Sequence, residues 1–185
     1  MEPARPPPIV TDRLRLECFT AADSESILSG RREPSWSAGY PTWGDREVAR
    51  WVANPRFVPH DPRFGPRKIV VREGGLVIGG VGFHAVPREG EVEIGFGIAP
   101  EWRGWGIGAE AVTAFVRYAF SLPGVGRVRA ETESDNEASA RTLERAGFVL
   151  ECAGPTRQFA AVVDEAAVSG STGSAAADGA SPSGP

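Results

Sequence analysis

A chain of 185 residues with 41% hydrophobic side chains is long enough to close one core, and 20 Lys and Arg against 24 Asp and Glu leave it a net charge of -4. That balance excludes a global positive field that would gather nucleic acid or an anionic membrane, so a polyanionic partner has to be met locally. Cys18 and Cys152 are the only cysteines; their separation fits neither a metal site nor a disulfide scaffold, and their apolar surroundings imply two buried thiols in a reducing cytoplasm.

Residues 1–8 hold four prolines and no apolar run of the kind a signal peptide needs. They are expected to be disordered. The fold then opens at residues 14–19, Leu-Arg-Leu-Glu-Cys-Phe, whose alternation predicts a strand with one face inward. Thr20 and Asp23 stand at capping-box spacing ahead of Ile27 and Leu28 and predict a helix. Residues 31–44 carry Trp36, Tyr40 and Trp43 among Pro, Gly and Ser, the pattern of a long loop pinned by aromatics that can also line a pocket. Asp45 is expected to cap a second helix with Val48, Trp51 and Val52 at helical spacing.

Three strand signals follow, at residues 68–73, 76–83 and 91–98, separated by turn chemistry at Gly74-Gly75 and residues 87–90. They predict an antiparallel meander. The third strand places Val92, Ile94, Phe96 and Ile98 on one side and Glu91, Glu93, Gly95 and Gly97 on the other. Glycines inside a strand mark a bulge or something approaching the backbone closely. Beyond them, Val112, Phe115, Val116, Ala119 and Phe120 predict a core-facing helix, residues 127–133 a strand, and Ser134 with Glu137 a second capping box on a helix that Gly147 ends. Residues 148–152 and 158–163 add a short final hairpin, and residues 166–185 are an Ala/Ser/Gly/Pro tail expected to be disordered. The reading is one α/β (mixed α+β) domain over residues 9–165.

Chemistry concentrates where the third meander strand hands over to the long helix. A helix start carries unpaired N–H groups and about half a positive charge, so phosphate fits there if no side chain blocks it. Gly104, Gly106 and Gly108 remove side chains at that point, and Arg103 adds charge at the lip. A kinase-type P-loop is rejected because Ala109-Glu110 stands where Lys-Ser/Thr is needed. The run from Gly106 to Ala111 fits a dinucleotide G-x-G-x-x-A, with Glu131 at a suitable distance, but the glycines do not follow the first strand directly and only one βαβ unit is visible.

The remaining option is R-x-x-G-x-G, Arg103-Gly104-Trp105-Gly106-Ile107-Gly108, and here the chain resembles the GNAT superfamily of N-acetyltransferases, in particular the Rim-type branch related to ribosomal-protein N-acetyltransferases. Four segments in order carry the resemblance: residues 11–16, Glu93-Ile94-Gly95-Phe96 with Pro100-Glu101-Trp102-Arg103-Gly104, Asn136-Glu137-Ala138-Ser139-Ala140-Arg141, and the run from Leu143 to Phe148. It implies a GNAT fold, a central, mostly antiparallel, splayed sheet flanked by helices. It also implies direct acetyl transfer from acetyl-CoA to a primary amine, either a protein N-terminus, a ribosomal protein or a small molecule.

The same resemblance implies that the backbone from Arg103 to Gly108, Trp105 and Ile107 included, cradles the pyrophosphate while the pantetheine arm pairs with the strand edge near Phe96 to Ile98. Glu93 is the preferred base, through water, with His84 as the other candidate and a solvated or structurally paired carboxylate as the alternative. Many relatives place a Tyr acid where this chain has Leu143; Ser139, one turn earlier, is then the group that meets the CoA sulfur. Asn136 ties the helix start to the cofactor arm or is a plain cap, and Arg141 and Arg145 approach the nucleotide phosphate or line a solvated face. No metal, nucleic acid or membrane partner is expected, the state is monomer or homodimer, and the competing function is a catalytically inactive acyl-CoA-binding regulatory module.

Overall fold

The computed structural model describes residues 5–54 and 61–162. The expected tail at residues 166–185 lies outside them. The described chain forms strands β1 (Ile9–Val10) and β2 (Leu14–Cys18), helices α1 (Ala21–Leu28) and α2 (Trp43–Val52), the meander β3 (Arg67–Val71), β4 (Val77–Phe83) and β5 (Glu91–Ile98), helix α3 (Ile107–Ser121), strand β6 (Arg127–Glu133), helix α4 (Glu137–Arg145), and the hairpin β7 (Val149–Ala153) and β8 (Thr156–Val162). All eight strands join one sheet in the order β1-β2-β3-β4-β5-β6-β8-β7. Every described pairing is antiparallel except β5 with β6, so the mixed, mostly antiparallel α/β architecture is as the sequence reading expects.

Period-two alternation divides the sheet between two helical layers. Leu14, Leu16, Ile69, Phe83, Val92, Ile94 and Val128 turn toward α3 and α4, where Val112, Phe115, Ala119, Ala140 and Leu143 close the main core. Burying each of the larger side chains there contributes roughly 1.5–3 kcal/mol. The opposite face meets α1 and α2 through a smaller cluster of Ile27, Trp36, Tyr40, Ala49, Val70 and Val77. Arg67 is buried in the main core, where its Nη1 donates to the carbonyls of Leu16 at 3.1 Å and Pro7 at 3.0 Å and its guanidinium lies 4.6 Å from the Tyr118 ring centre. This holds the chain against the sheet from Pro7 onward, inside the stretch 1–8 expected to be disordered, of which residues 1–4 lie outside the described residues.

Several local expectations are corrected. Asp45 is not the cap of α2: Thr42 is, with Asp45 as the third residue of a reciprocal capping box in which the carboxylate accepts from the Thr42 N–H at 2.8 Å. Likewise α4 begins at Asn136, whose Oδ1 accepts from the Ser139 N–H at 3.1 Å, rather than at a Ser134 box. Trp43 therefore opens a helix instead of pinning the loop, and it is exposed, while Trp36 and Tyr40 are buried edge to face. The loop owes its shape to Arg32, which donates to the carbonyls of Ser37 at 2.7 Å, Tyr40 at 3.0 Å and Ala38 at 3.2 Å. Cys152 is exposed and Cys18 half-buried, so the expected pair of buried thiols is not what forms.

Two glycines of this sheet face, Gly80 in β4 and Gly97 in β5, are explained by the α2 layer. A Cβ on Gly80 would lie 2.5 Å from the Asp45 carboxylate oxygen, and one on Gly97 would lie 3.1 Å from the Thr42 hydroxyl. The bare strand faces let the capping box of α2 rest directly on the sheet. We therefore expect Gly80→Ala to cost about 1–3 kcal/mol by overpacking against a buried, doubly bonded carboxylate. Gly44→Ala, inside α2 with only an ordinary contact at 3.9 Å, should be neutral or stabilising. Thermal denaturation separates the two, at about 2–4 °C of midpoint per kcal/mol for a chain of this size.

Candidate functional site

The site is made by a ladder that stops. Strands β5 and β6 pair in parallel from Glu91 with Arg127 to Ile94 with Ala130, and no further. Beyond that point β5 continues to Ile98 and β6 to Glu133 without meeting each other. On its other side β5 stays bonded to β4, with the His84 N–H donating to the Glu93 carbonyl at one end and the Ala99 N–H donating to the Ile78 carbonyl at the other. Alternation along an extended strand then assigns the odd-numbered residues of this stretch to β4 and turns the N–H and C=O groups of Phe96 and Ile98 into the gap. These are the two residues expected to line a cofactor arm.

Immediately after the gap comes the helix start. Gly104 and Gly106 both have positive φ, 83° and 74°, and Gly106 is the N-cap of α3 with no side chain to satisfy the first turn. Among the described residues, no protein acceptor takes the N–H groups from Gly104 to Ala109. Gly108 is bare for a different reason: its Cβ would lie 3.3 Å from the Thr142 methyl, so it lets α4 pack onto α3. Arg103 closes the end of the gap, its Nε donating to the Ile98 carbonyl at 3.0 Å, which leaves the terminal nitrogens of the guanidinium at the lip. Trp105 stands exposed in the loop and borders a groove of about 790 Å³ shared with Arg13, Arg72, Trp102 and Ile107.

Three long-range contacts fix this loop, and the sequence reading found none of them. Glu110, in the first turn of α3, accepts from the Thr11 hydroxyl at 2.6 Å, the Arg13 N–H at 3.1 Å and the Arg13 guanidinium at 2.6 Å. Arg13 in turn donates from Nη1 to the Trp105 carbonyl at 3.0 Å. Glu101 accepts from the Gly39 N–H at 2.7 Å, which fastens the 31–44 loop to the start of the cradle. The only sequence signal was an acidic residue in a first helical turn, a placement the helix dipole favours.

On the α2 face of β5, Glu93 and His84 are brought together, Nδ1 to Oε1 at 2.9 Å, with both side chains solvent-accessible. Arg129, opposite Glu93 in the ladder, is engaged by Glu91 at 3.2 Å and Gln158 at 3.1 Å. Ser139 lies half-buried on α4, one turn before Thr142, while Leu143 is in the core. Asn136 has its Oδ1 occupied by the cap described above. Arg141 and Arg145 are exposed on α4. Burial, reinforced by the nearby Asp45 carboxylate, raises the pKa of the Tyr40 phenol far above the usual phenol range. Among the described residues, no helix is long and apolar enough to cross a membrane.

A family model for an acetyltransferase (GNAT) domain matches residues 13–149. The Bacillus subtilis (strain 168) protein YoaA, described as an uncharacterized N-acetyltransferase, is 34% identical over 158 residues, covering 83% of this chain and 88% of its own. A second protein of that strain, YjdG, with the same description, is 31% identical over 156 residues, covering 76% of this chain and 88% of its own. Among solved structures, RimL, a ribosomal L7/L12 α-N-protein acetyltransferase in complex with coenzyme A, superposes with a TM-score of 0.63 at 18% identity over 85% of this chain and 98% of that one.

The Glu110 contacts make a pH prediction. Burial pushes its carboxyl up, but the bonds from Thr11 and Arg13 together outweigh burial and leave it below the usual range. A carboxyl with a depressed folded-state pKa adds stability above the unfolded value, about 4.3, and loses it as pH falls through the folded one. Glu110→Gln should therefore be less stable than the parent by about 1 kcal/mol at neutral pH, allowing for solvent screening around half-exposed Arg13. Denaturant titrations should show that deficit shrinking toward zero as the medium is acidified below pH 4.

Proposed function

Because the chain belongs to the GNAT acetyltransferase domain family, we propose that it is an N-acetyltransferase that passes an acetyl group from acetyl-CoA directly to a primary amine. One observation carries the reading: a helix start stripped of side chains lies next to a strand edge whose backbone groups have no strand to pair with. The unpartnered N–H groups from Gly104 to Ala109 fit a diphosphate, and the Phe96 and Ile98 edge fits the amide groups of a pantetheine arm, which can add like one more strand. Arg103, Gly104, Trp105, Gly106, Ile107 and Gly108 hold the phosphate end. Asn136 and Ser139 approach from α4.

When bound, acetyl-CoA supplies an activated acetyl thioester. The chain supplies the rest. The Ile98 N–H, turned into the gap, donates to the acetyl oxygen where negative charge develops. The Glu93 and His84 pair offers proton acceptors on the acceptor side of the sheet. Ser139 gives the departing sulfur a hydroxyl in place of the phenol that buried Leu143 excludes. The 31–44 loop, tied through Glu101 to the cradle, shapes the acceptor side, where a protein N-terminus, a ribosomal protein or a small amine is the substrate.

The buried Leu143 also favours a second reading, an acyl-CoA-binding regulatory module without turnover. Free thiol released from acetyl-CoA in the presence of short peptides with free N-termini, polyamines and aminoglycosides supports the enzyme; tight acetyl-CoA binding with no release supports the module. The cofactor seat has its own test. Gly106→Ala and Gly106→Glu carry the same cost of a side chain at positive φ, about 1–2 kcal/mol. Only the glutamate puts a negative charge in the cradle. Calorimetry should find both variants folded, with acetyl-CoA binding weakened modestly in the first and abolished in the second; equal affinities in the two would contradict the seat.

A further inference from the structure

We propose that His84 Nε2 is the atom that takes the proton from the acceptor amine, and that Glu93 is a positioning residue behind it. This rests on the acetyltransferase reading above and divides the roles within its proton-accepting pair. His84 follows β4 directly and stands opposite Glu93, its N–H donating to the Glu93 carbonyl at 2.9 Å, so the two side chains leave the same face of the sheet as neighbours. The carboxylate meets Nδ1 at 2.9 Å. Nε2 is then the free end of the ring.

The direction of that free end is set by Gly95. A Cβ built on Gly95 would lie 2.6 Å from His84 Nε2 and 3.5 Å from Cε1. The imidazole therefore lies forward along β5, over the first residue past the last β5–β6 pair, with Nε2 at the mouth of the gap and the carboxylate two residues behind it. The bare position that the sequence leaves in β5 is the seat of the ring. Glu93 is free for this task because Arg129, opposite it, is held by Glu91 and Gln158.

The arrangement has a direct chemical consequence. A carboxylate accepting from Nδ1–H fixes the tautomer whose lone pair is on Nε2 and turns that lone pair to the arriving amine. A primary ammonium arriving on this face gives one proton to Nε2 and becomes a neutral nucleophile. Its nitrogen forms the C–N bond to the acetyl carbon, the C–S bond breaks with its electron pair going to sulfur, and a second N–H proton passes to the sulfur. Amide and thiol result, and the imidazolium returns its proton to water.

Two readouts test the dyad, and the first needs neither cofactor nor acceptor. The chain has two histidines, so long-range ¹H–¹⁵N spectra of labelled protein, with His60→Gln for assignment, resolve the His84 ring. The Nδ1–H tautomer is expected in the parent and its loss in Glu93→Ala; a parent in the Nε2–H form overturns the proposal. In the second, thiol release with the fastest amine of the panel should fall by about 100-fold or more in His84→Ala, with acetyl-CoA affinity unchanged and activity partly restored by added imidazole. Glu93→Ala should lose about 10- to 100-fold. Parent protein that binds no acetyl-CoA overturns the acetyltransferase reading itself. Full-rate turnover by His84→Ala in a protein that does bind it overturns only the dyad.

Discussion

The end of the β5–β6 ladder at Ile94 and Ala130 is the constraint on which the rest of the molecule depends. A parallel pair that continued would satisfy the Phe96 and Ile98 backbone groups internally and leave nothing for a ligand to bond. Unpaired strand edges are normally a liability that proteins cover or blunt. Here the free edge is short, opens directly into the start of α3, and is closed at its far end by the Arg103 side chain on the Ile98 carbonyl. The open stretch is thus confined to the few residues in front of the helix dipole.

The two helical layers divide the work around that opening. Helices α3 and α4 build the main core and, through Gly108 against Thr142, bring α4 beside the helix start. Helix α2 rests its capping box on the bare faces of Gly80 and Gly97, leaving Glu93, Gly95 and His84 uncovered farther along the same face. Contacts between distant parts of the chain converge on the loop between the layers. Glu110 and Arg13 hold it from the N-terminal hairpin, and Glu101 holds it to the 31–44 loop. The segment with the barest backbone is kept in shape by side chains that reach it from elsewhere.

Much of the frame was legible in the sequence because it is encoded by local period and local caps. The Thr20–Asp23 box forms as its spacing implies, the meander follows its turn residues, and the helical stripe from Val112 to Ala119 is the core face of α3. Helix starts with two candidate caps are less determinate. Thr42 and Asp45 have the same spacing as Thr20 and Asp23, but an Asp ahead of a helical stripe can be the cap or the third residue of its box, and Asn136 competes with Ser134 for one helix start. Glycine is harder still, because a bare position says that something comes close but not what: in β5, Gly97 accommodates α2 and Gly95 accommodates His84. Pairs such as Glu110 with Arg13, 97 residues apart, leave no local trace. The His84–Glu93 pair was within reach, since counting back from the turn at residues 87–90 sets the two opposite each other.

The most direct test of the account is residue-resolved amide hydrogen exchange with and without coenzyme A. If the thiol-bearing arm adds to the free edge of β5, the ligand should protect the amides of Phe96 and Ile98 and those from Gly104 to Ala109, and leave Gly95 and Gly97, already bonded to β4, unchanged. Protection that fails to alternate along β5, or that appears elsewhere while Phe96 and Ile98 exchange as before, would contradict it.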